Sequence, residues 1–172
     1  DGIDLATVNL ASYREQLGLV LQDDFLFDGT IRENLLFARA DAPDTDLQRA
    51  AEQAHVTEFT DRFPEGLDTV IGERGVKLSG GQRQAVSLLM ASLTPSSILL
   101  LDEHTAALDP KTAAFVLELT TKIIEEQKLT ALMVTHSMKQ ALEVGSRTVL
   151  LHQGQVVFDI AGKDREGLEV KD

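Results

Sequence analysis

Short apolar runs alternate with amphipathic stretches along the chain. Three runs have the length and continuity of strands: residues 17–22, 98–101 and 131–134. Continuous apolar runs of this length are typical of strands buried on both faces of a parallel sheet. Nearer the end of the chain, segments 148–151 and 155–159 flank Gln153-Gly154, which predicts a hairpin.

Predicted helices fill the intervals between these strands. Capping and turn-forming residues predict helices at 31–37, 43–54, 56–63, 79–93, 109–127 and 138–144. In 43–54 the apolar residues also recur three and four positions apart. Thr30, Ser79 and Asp109 have side chains that can cap three of these helices. Pro95 and Gly145 mark two of the helix ends.

The alternation of strands and helices predicts an α/β fold with a mainly parallel sheet. Residues 1–22 and 79–160 are expected to form the core of this single region, 1–172. Helices predominate between them, so residues 23–78 are expected to form an inserted helical subdomain. Residues 161–172 form a charged tail.

Size and composition narrow the classes of function. The 172 residues suit one domain or a large piece of one, and 43% hydrophobic residues suffice for a core. The net charge of −12 argues against nucleic-acid binding, which needs clustered Lys and Arg. The sequence has no cysteine, which excludes disulfides and thiolate metal sites. No apolar run approaches the ~20 residues needed to cross a bilayer.

Two adjacent carboxylates, Asp102 and Glu103, follow the apolar run 98–101. Open α/β sheets bind ligands at the carboxyl ends of their strands. An Asp there can hold Mg²⁺ on nucleotide phosphates, and the next carboxylate can polarise an attacking water. A solvated acidic turn after a strand would explain the same pair without chemistry.

The string Ser79-Gly80-Gly81-Gln82 precedes the helix expected over 79–93. A helix N-terminus presents backbone N–H groups and the positive end of a dipole, which together attract anions. The glycines allow a phosphate to approach the backbone closely. A capped helix after a flexible turn would explain these residues without a ligand.

In this order, Leu78–Gln82 and Leu99–Glu103 resemble the signature and Walker B segments of ATP-binding cassette (ABC) ATPases. Three further residues stand where that family has functional ones: Gln22 at the Gln-loop, Asp109 in the D-loop and His136 at the switch histidine. Without the family, Asp109 would be a helix cap and His136 a structural residue. No Gly-x-x-x-x-Gly-Lys-Ser/Thr occurs, so the sequence lacks the Walker A loop that cradles phosphates.

The resemblance implies a P-loop NTPase-like α/β fold, incomplete in this sequence, and hydrolysis of ATP with Mg²⁺. It makes Glu103 and His136 catalytic, and Asp102 and Gln22 the metal ligands. The residues that it places at the nucleotide are Gln22, Ser79, Gly80, Gly81, Gln82 and Asp109. The other histidines, His55, His104 and His152, have no ligand-like spacing and are expected to be structural.

The resemblance also implies partners. Two cassettes of this family form a head-to-tail dimer around two ATP molecules, and the signature of each touches the ATP held by the other. The dimer serves the transmembrane domains of a transporter, which would hold this chain at the cytoplasmic face of a membrane. An incomplete sheet additionally predicts that the chain associates with itself.

Finer resemblance changes character near residues 79–84. Before them, segments 20–34 and 66–75 are similar to exporter cassettes, and Gly72-Glu73-Arg74-Gly75 matches the exporters' X-loop. After them, segments 102–112 and 132–138 are similar to importers of the amino-acid type. This favours a mosaic of two cassettes over one natural cassette with an unusual signature helix.

Three functions remain open. The first is an ATP-hydrolysing segment of an ABC transporter. The second is an excised or engineered chimeric α/β module without ATPase activity, suggested by the missing Walker A and the start at Asp1; in either case the chain alone is expected to be inactive. The third is an ATPase of DNA repair or chromosome maintenance, which the X-loop and the lack of a long heptad insertion oppose.

Overall fold

The computed structural model describes residues 2–23, 25–37, 39–53, 56–93, 96–165 and 167–168. The chain forms two compact units, residues 1–133 and 134–172. Elements of the first unit, in chain order, are α1 (Leu10–Arg14), β1 (Leu17–Val20), α2 (Ile31–Leu36), α3 (Asp44–Gln53), α4 (Thr57–Thr60), α5 (Gly80–Leu93), β2 (Ile98–Asp102) and α6 (Pro110–Gln127). Strand β3 (Thr130–Val134) ends at the boundary.

The second unit, as far as it is described, contains α7 (Met138–Glu143) and the strands β4 (Arg147–His152) and β5 (Gln155–Ala161). Single 3-10 turns lie at Leu5–Thr7, Gly66–Asp68, Glu73–Gly75 and Gly162–Arg165. Strands β4 and β5 pair antiparallel. Gln153 and Gly154 between them both have positive φ, 49° and 75°, as a tight two-residue hairpin turn requires. The predicted hairpin is therefore confirmed.

The predicted parallel pairing is present in the sheet of the first unit. Strands β1 and β2 pair in parallel, with Leu17 opposite Ile98 and Val20 opposite Leu101. The sheet order is β1-β2-β3. Since parallel neighbours need a crossover, the helices between β1 and β2 follow from this pairing. The protein is thus a mixed α/β structure with a parallel sheet.

Burial of the sheet differs from the expectation. Leu99 and Leu101 are buried, but Ile98 and Leu100 are only half-buried, and Leu132 in β3 is 62% exposed. Successive side chains of a strand point to opposite faces, and the buried cluster lies on the Leu99 and Leu101 face. The expectation that 98–101 is buried on both faces is therefore wrong for the described residues. The expectation of a short buried strand over 17–22 is also wrong in part, because Leu19 and Leu21 are exposed.

Helix ends follow the capping residues that the sequence contains. Thr30 forms a capping box with Glu33: Glu33 N–H donates to Thr30 Oγ1 at 3.0 Å, and Thr30 N–H donates to Glu33 Oε2 at 2.7 Å. Asp109 caps α6 and Ser137 caps α7. The helix expected over 56–63 is shorter, Thr57–Thr60. The predicted ends at residues 54 and 94–95 lie outside the described residues.

One buried apolar cluster joins the helical stretch to the sheet within the first unit. Its members from the helical stretch are Leu26, Ile31, Leu35, Leu47, Ala51, Val56, Leu67, Ile71 and Leu78. Its members from the sheet and from α5 and α6 are Val20, Leu99, Leu101, Ala85, Val86, Leu88, Leu89, Leu119 and Ile123. Helix α5 lies against α2, α3, α6 and β1, and it therefore ties the predicted subdomain to the predicted core.

Candidate nucleotide site

The carboxyl ends of β1 and β2 meet at one edge of the sheet. Val20 pairs with Leu101 on the adjacent strand. Gln22 lies two residues after Val20, and Asp102 lies one residue after Leu101. Both side chains are exposed at this edge. The structure therefore brings together two of the predicted site residues, at the place where open α/β sheets bind ligands.

Glu103 leaves this edge in an unusual backbone conformation. Its φ is 46°, in the left-handed region that few residues other than glycine adopt. Its side chain is half-buried, and its carbonyl accepts a hydrogen bond from Ala106 N–H at 2.9 Å. The chain thus turns sharply after Asp102, and the two carboxylates cannot continue the alternation of the strand.

The buried side chain of His104 connects this turn to α6. Its side chain is buried, and Nε2 lies 3.0 Å from Thr120 Oγ1 on α6. Thr120 Oγ1 donates its one hydrogen to the carbonyl of Val116 at 2.7 Å, so His104 must donate through Nε2–H. Burial lowers the pKa of His104 from 6.5 to about 4, which keeps the ring neutral at pH 7. His104 is structural, as the sequence predicts. Its hydrogen bond to α6 fixes the backbone directly after Glu103.

Ser79 and Gln82 form a second capping box, at the start of α5. Ser79 N–H donates to Gln82 Oε1 at 2.8 Å, and Gln82 N–H donates to Ser79 Oγ at 3.4 Å. The family resemblance places Gln82 at the nucleotide, but Ser79-x-x-Gln82 also has the spacing of a capping box, which the structure shows. In the structure the amide oxygen of Gln82 is engaged with the backbone of its own helix.

Asp109 is bonded to the first turn of α6. Its Oδ1 accepts from Lys111 N–H and Thr112 N–H, both at 3.2 Å. Hydrogen bonds from the Thr112 side chain and these backbone groups lower the pKa of Asp109 below 3.8. The structure therefore shows the helix cap; a role of Asp109 at the nucleotide stays a prediction.

His136 belongs to the second unit, where it is exposed. The turn that carries it is fixed by its neighbours: Thr135 Oγ1 donates to Gln140 Oε1 at 3.0 Å, and Ser137 N–H donates to Thr135 Oγ1 at 3.1 Å. Its catalytic role stays a prediction.

Asn34 is a structural determinant that the sequence analysis missed. This buried amide accepts from Phe27 N–H at 2.7 Å and donates to the carbonyls of Phe27 at 3.1 Å and Thr30 at 2.9 Å. It fastens the loop after Gln22 to α2. A polar residue between the apolar positions Ile31 and Leu35 of one helix face was the available indication.

The donor set at the strand ends fits Mg²⁺. Mg²⁺ prefers oxygen ligands and usually takes one or two from the protein, with phosphate and water completing the shell. Asp102 offers a carboxylate and Gln22 an amide oxygen at the same edge. Among the described residues no group of three His, Cys, Asp or Glu side chains could hold a metal by itself. Asp102 and Gln22 could thus provide only part of the coordination shell of Mg²⁺, and phosphate and water would complete it.

Comparisons with known proteins place the chain in a family. The sequence model described as ABC transporter matches residues 1–106. The tyrosine transport ATP-binding protein of Clostridioides difficile is 42% identical over 180 residues, which cover 99% of this chain and 71% of that protein. The uncharacterised ABC transporter ATP-binding protein YwjA of Bacillus subtilis is 42% identical over 90% of this chain and 26% of its own length.

The fold comparison agrees with the sequence comparison. A solved structure of a bacterial Atm1-family ABC exporter with ATP bound superposes with a TM-score of 0.82 and 34% identity, over 97% of this chain and 29% of that one. The chain thus spans about a quarter of several relatives that it matches, among them an ATP-dependent lipid A-core flippase of Nitrosococcus oceani.

The mosaic interpretation receives no support from these comparisons. The tyrosine transport protein aligns with nearly the whole chain, on both sides of residues 79–84.

Among the described residues, no helix combines the length and apolarity needed to cross a membrane. The family model and the tyrosine transport ATP-binding protein both match most of this chain, so the chain belongs to the ABC transporter family.

Proposed function

We propose that this chain is a segment of the ATP-binding and ATP-hydrolysing subunit of an ABC transporter. The observation that carries the proposal is the placement of Asp102 at the end of β2 and of Glu103 directly after it, beside the end of β1 that leads to Gln22. Phosphoryl transfer needs mainly positioning and electrostatic stabilisation, which fixed carboxylates at a sheet edge supply.

In this proposal each residue at the edge has one role. Asp102 and Gln22 would hold Mg²⁺ through their oxygens, and a bound ion would supply neutralisation of the charge on the phosphates of ATP. Glu103, which directly follows the strand in a left-handed backbone conformation, accepts a hydrogen bond from the attacking water and takes its proton. Separately from this edge, the resemblance assigns His136, in the second unit, to the terminal phosphate, and Asp109 to the segment that faces a second cassette.

The start of α5 serves a second nucleotide. Ser79, Gly80 and Gly81, together with Gln82, present the N-terminus of a 14-residue helix, which suits an anion. The capping box of Ser79 and Gln82 leaves the backbone N–H groups of the glycines oriented along the helix axis. We propose that this end meets ATP bound to a partner cassette in a head-to-tail dimer. The loop that cradles the phosphates would come from residues outside these 172.

A groove near Gln22 supports the proposal of a transmembrane partner. Phe25 and Phe37 are exposed at its rim, and Phe27 stacks on Phe37 with ring centroids 3.9 Å apart. Leu19 and Leu21 line it and are also exposed. Exposed apolar grooves of this kind mark interaction sites. Transmembrane domains seated there would hold the chain at the cytoplasmic face of a membrane.

The test is ATP hydrolysis by the full-length protein assembled with its transmembrane domains in lipid vesicles. We expect phosphate release that requires both ATP and Mg²⁺, and no turnover by residues 1–172 alone. Assembled vesicles that release no phosphate with Mg²⁺ and ATP would refute the proposal. Equal turnover by residues 1–172 alone would refute the requirement for an additional phosphate-binding loop.

A further inference from the structure

Two helix starts meet through a glycine in the first unit. Gly81, in the first turn of α5, is buried and lies against Thr112, in the first turn of α6. A Cβ added at Gly81 would overlap the Thr112 methyl carbon Cγ2. At the neighbouring Gly80, a Cβ would lie 3.2 Å from Leu108 Cδ2, which is tight but against a flexible side-chain end. Space for a side chain is therefore missing at Gly81 in this structure, which contains no nucleotide.

Thr112 is held in place from its other side. Asp109 accepts from Thr112 N–H at 3.2 Å and also from the Thr112 side chain. Because the hydroxyl is engaged with Asp109, the methyl group is directed to Gly81. β-branched side chains have few rotamers in a helix, which limits any alternative position of this methyl.

We infer that Thr112 is a positioning residue that links the Asp109 cap to the start of α5. Its hydroxyl is hydrogen-bonded to Asp109, and its methyl group packs against Gly81. Through these two contacts, the position of segment 106–109 determines where the backbone N–H groups of Ser79–Gly81 lie. The inference rests on the proposed function, in which that turn meets a phosphate. It gives Gly81 a packing requirement in addition to any approach of nucleotide.

This linkage has a specific consequence for substitutions. Gly81→Ala should force the two helix starts apart, because packed interiors do not absorb an extra methyl without a shift. Thr112→Ser removes only Cγ2 and keeps the hydroxyl for Asp109. The pair should therefore compensate, whereas Thr121→Ser, about two and a half turns further along the same helix, should not.

The experiment measures Tm and Mg²⁺-dependent ATP turnover of the full-length protein with its partner domains. The variants are Gly81→Ala, Thr112→Ser, both together, and Gly81→Ala with Thr121→Ser as the matched control. We expect Gly81→Ala to lower Tm by roughly 2–10 °C and to reduce turnover. Thr112→Ser should restore most of both losses, and Thr121→Ser should restore neither.

Each other outcome contradicts a definite part of the inference. A double variant that stays as unstable as Gly81→Ala shows that the Thr112 methyl is not the constraint. A double variant that recovers Tm but not turnover shows that Gly81 acts at the nucleotide and not through Thr112. A parent protein without ATP turnover overturns the proposed function, and with it the positioning role, even where the recovery of Tm shows the contact.

Discussion

Glu103 takes its direction from the backbone. A residue other than glycine in the left-handed region costs on the order of 1 kcal/mol, and such strain persists only where neighbours impose it. Leu101 before it and His104 after it are both buried, so the chain is fixed on either side of the turn. The φ of 46° thereby gives the Glu103 side chain a different direction from the one that a continued strand would give it, and the two carboxylates do not share one backbone geometry.

Replacing Glu103 tests the division of roles. In the full-length protein, Glu103→Gln should slow ATP hydrolysis by about 10²–10⁴, because an amide keeps the shape of the side chain but cannot accept a proton. ATP binding should persist, and steady-state phosphate release with a separate nucleotide-binding measurement checks both. Asp102→Asn is the matched comparison and should instead weaken the Mg²⁺ dependence of binding. Hydrolysis by Glu103→Gln near the parent rate would show that the assignment is wrong.

The buried ring of His104 predicts a loss of stability in mild acid. Its pKa is about 4 in the folded protein, against 6.5 for an ordinary histidine. Between these values the unfolded chain binds the proton and the folded chain does not, so the free energy of unfolding falls as pH decreases from 6.5 to 4. The expected loss is roughly 3 kcal/mol, measured by denaturant unfolding across this range.

Two variants separate His104 from other groups. His104→Gln should remove most of the slope between pH 6.5 and 4, whereas the exposed His152→Gln should keep it. Asp109 and Asp159 have pKa values lowered from 3.8, so their protonation weakens the fold only below this range. If His104→Gln has the same slope as the parent, the ring is not the group that titrates.

At the scale of elements, α2 depends on a single buried amide. Asn34→Ala should destabilise the protein by about 1–3 kcal/mol, because the N–H and carbonyl of Phe27 and the carbonyl of Thr30 lose their side-chain partner. Chemical denaturation measures the loss. Glu52→Ala, at an exposed position of α3, is the control and should stay within about 0.5 kcal/mol. Equal stability of the two variants would contradict the role given to Asn34.

Helix starts and strand positions could be predicted because their causes are local. Thr30 with Glu33 and Asp109 with Pro110 carry the chemistry of a helix start within a few residues of sequence. The left-handed Glu103 precedes His104, whose partner Thr120 lies 16 residues further along the chain, and no local pattern indicates it. The partners of Asn34, Phe27 and Thr30, are near in sequence, but the burial of its amide depends on the packing of α2. Of the site, the edge with Gln22, Asp102 and Glu103 was predictable from strand ends.

Burial of the strands could not be read from their apolar runs. Residues 98–101 and 131–134 look alike in sequence, yet Leu99 is fully buried and Leu132 is 62% exposed. A run of apolar residues indicates that both faces of a strand favour contact with other apolar residues. It does not indicate which part of the protein provides that contact. In the described residues the buried cluster covers the face of Leu99 and Leu101 and leaves much of β3 open.

At the scale of the whole molecule, that open strand predicts self-association of residues 1–172. Strand β3 is at one end of the sheet order β1-β2-β3, and the exposed apolar face and edge of such a strand pair readily with other chains. The net charge of −12 opposes contact, but salt screens it beyond roughly 8–10 Å. Association should therefore increase with protein concentration and with salt.

Light scattering and sedimentation of the purified chain test this expectation, and a pair of lysine substitutions locates the surface. Leu132→Lys places a charge on β3 and should reduce association, as lysine does on natural edge strands. Val76→Lys is the control, because Val76 is 75% exposed but lies in a loop outside the strands. If both variants associate like the parent, β3 is not the contact. A parent that is monodisperse and monomeric at high salt shows that exposed apolar strand residues are tolerated here without a partner.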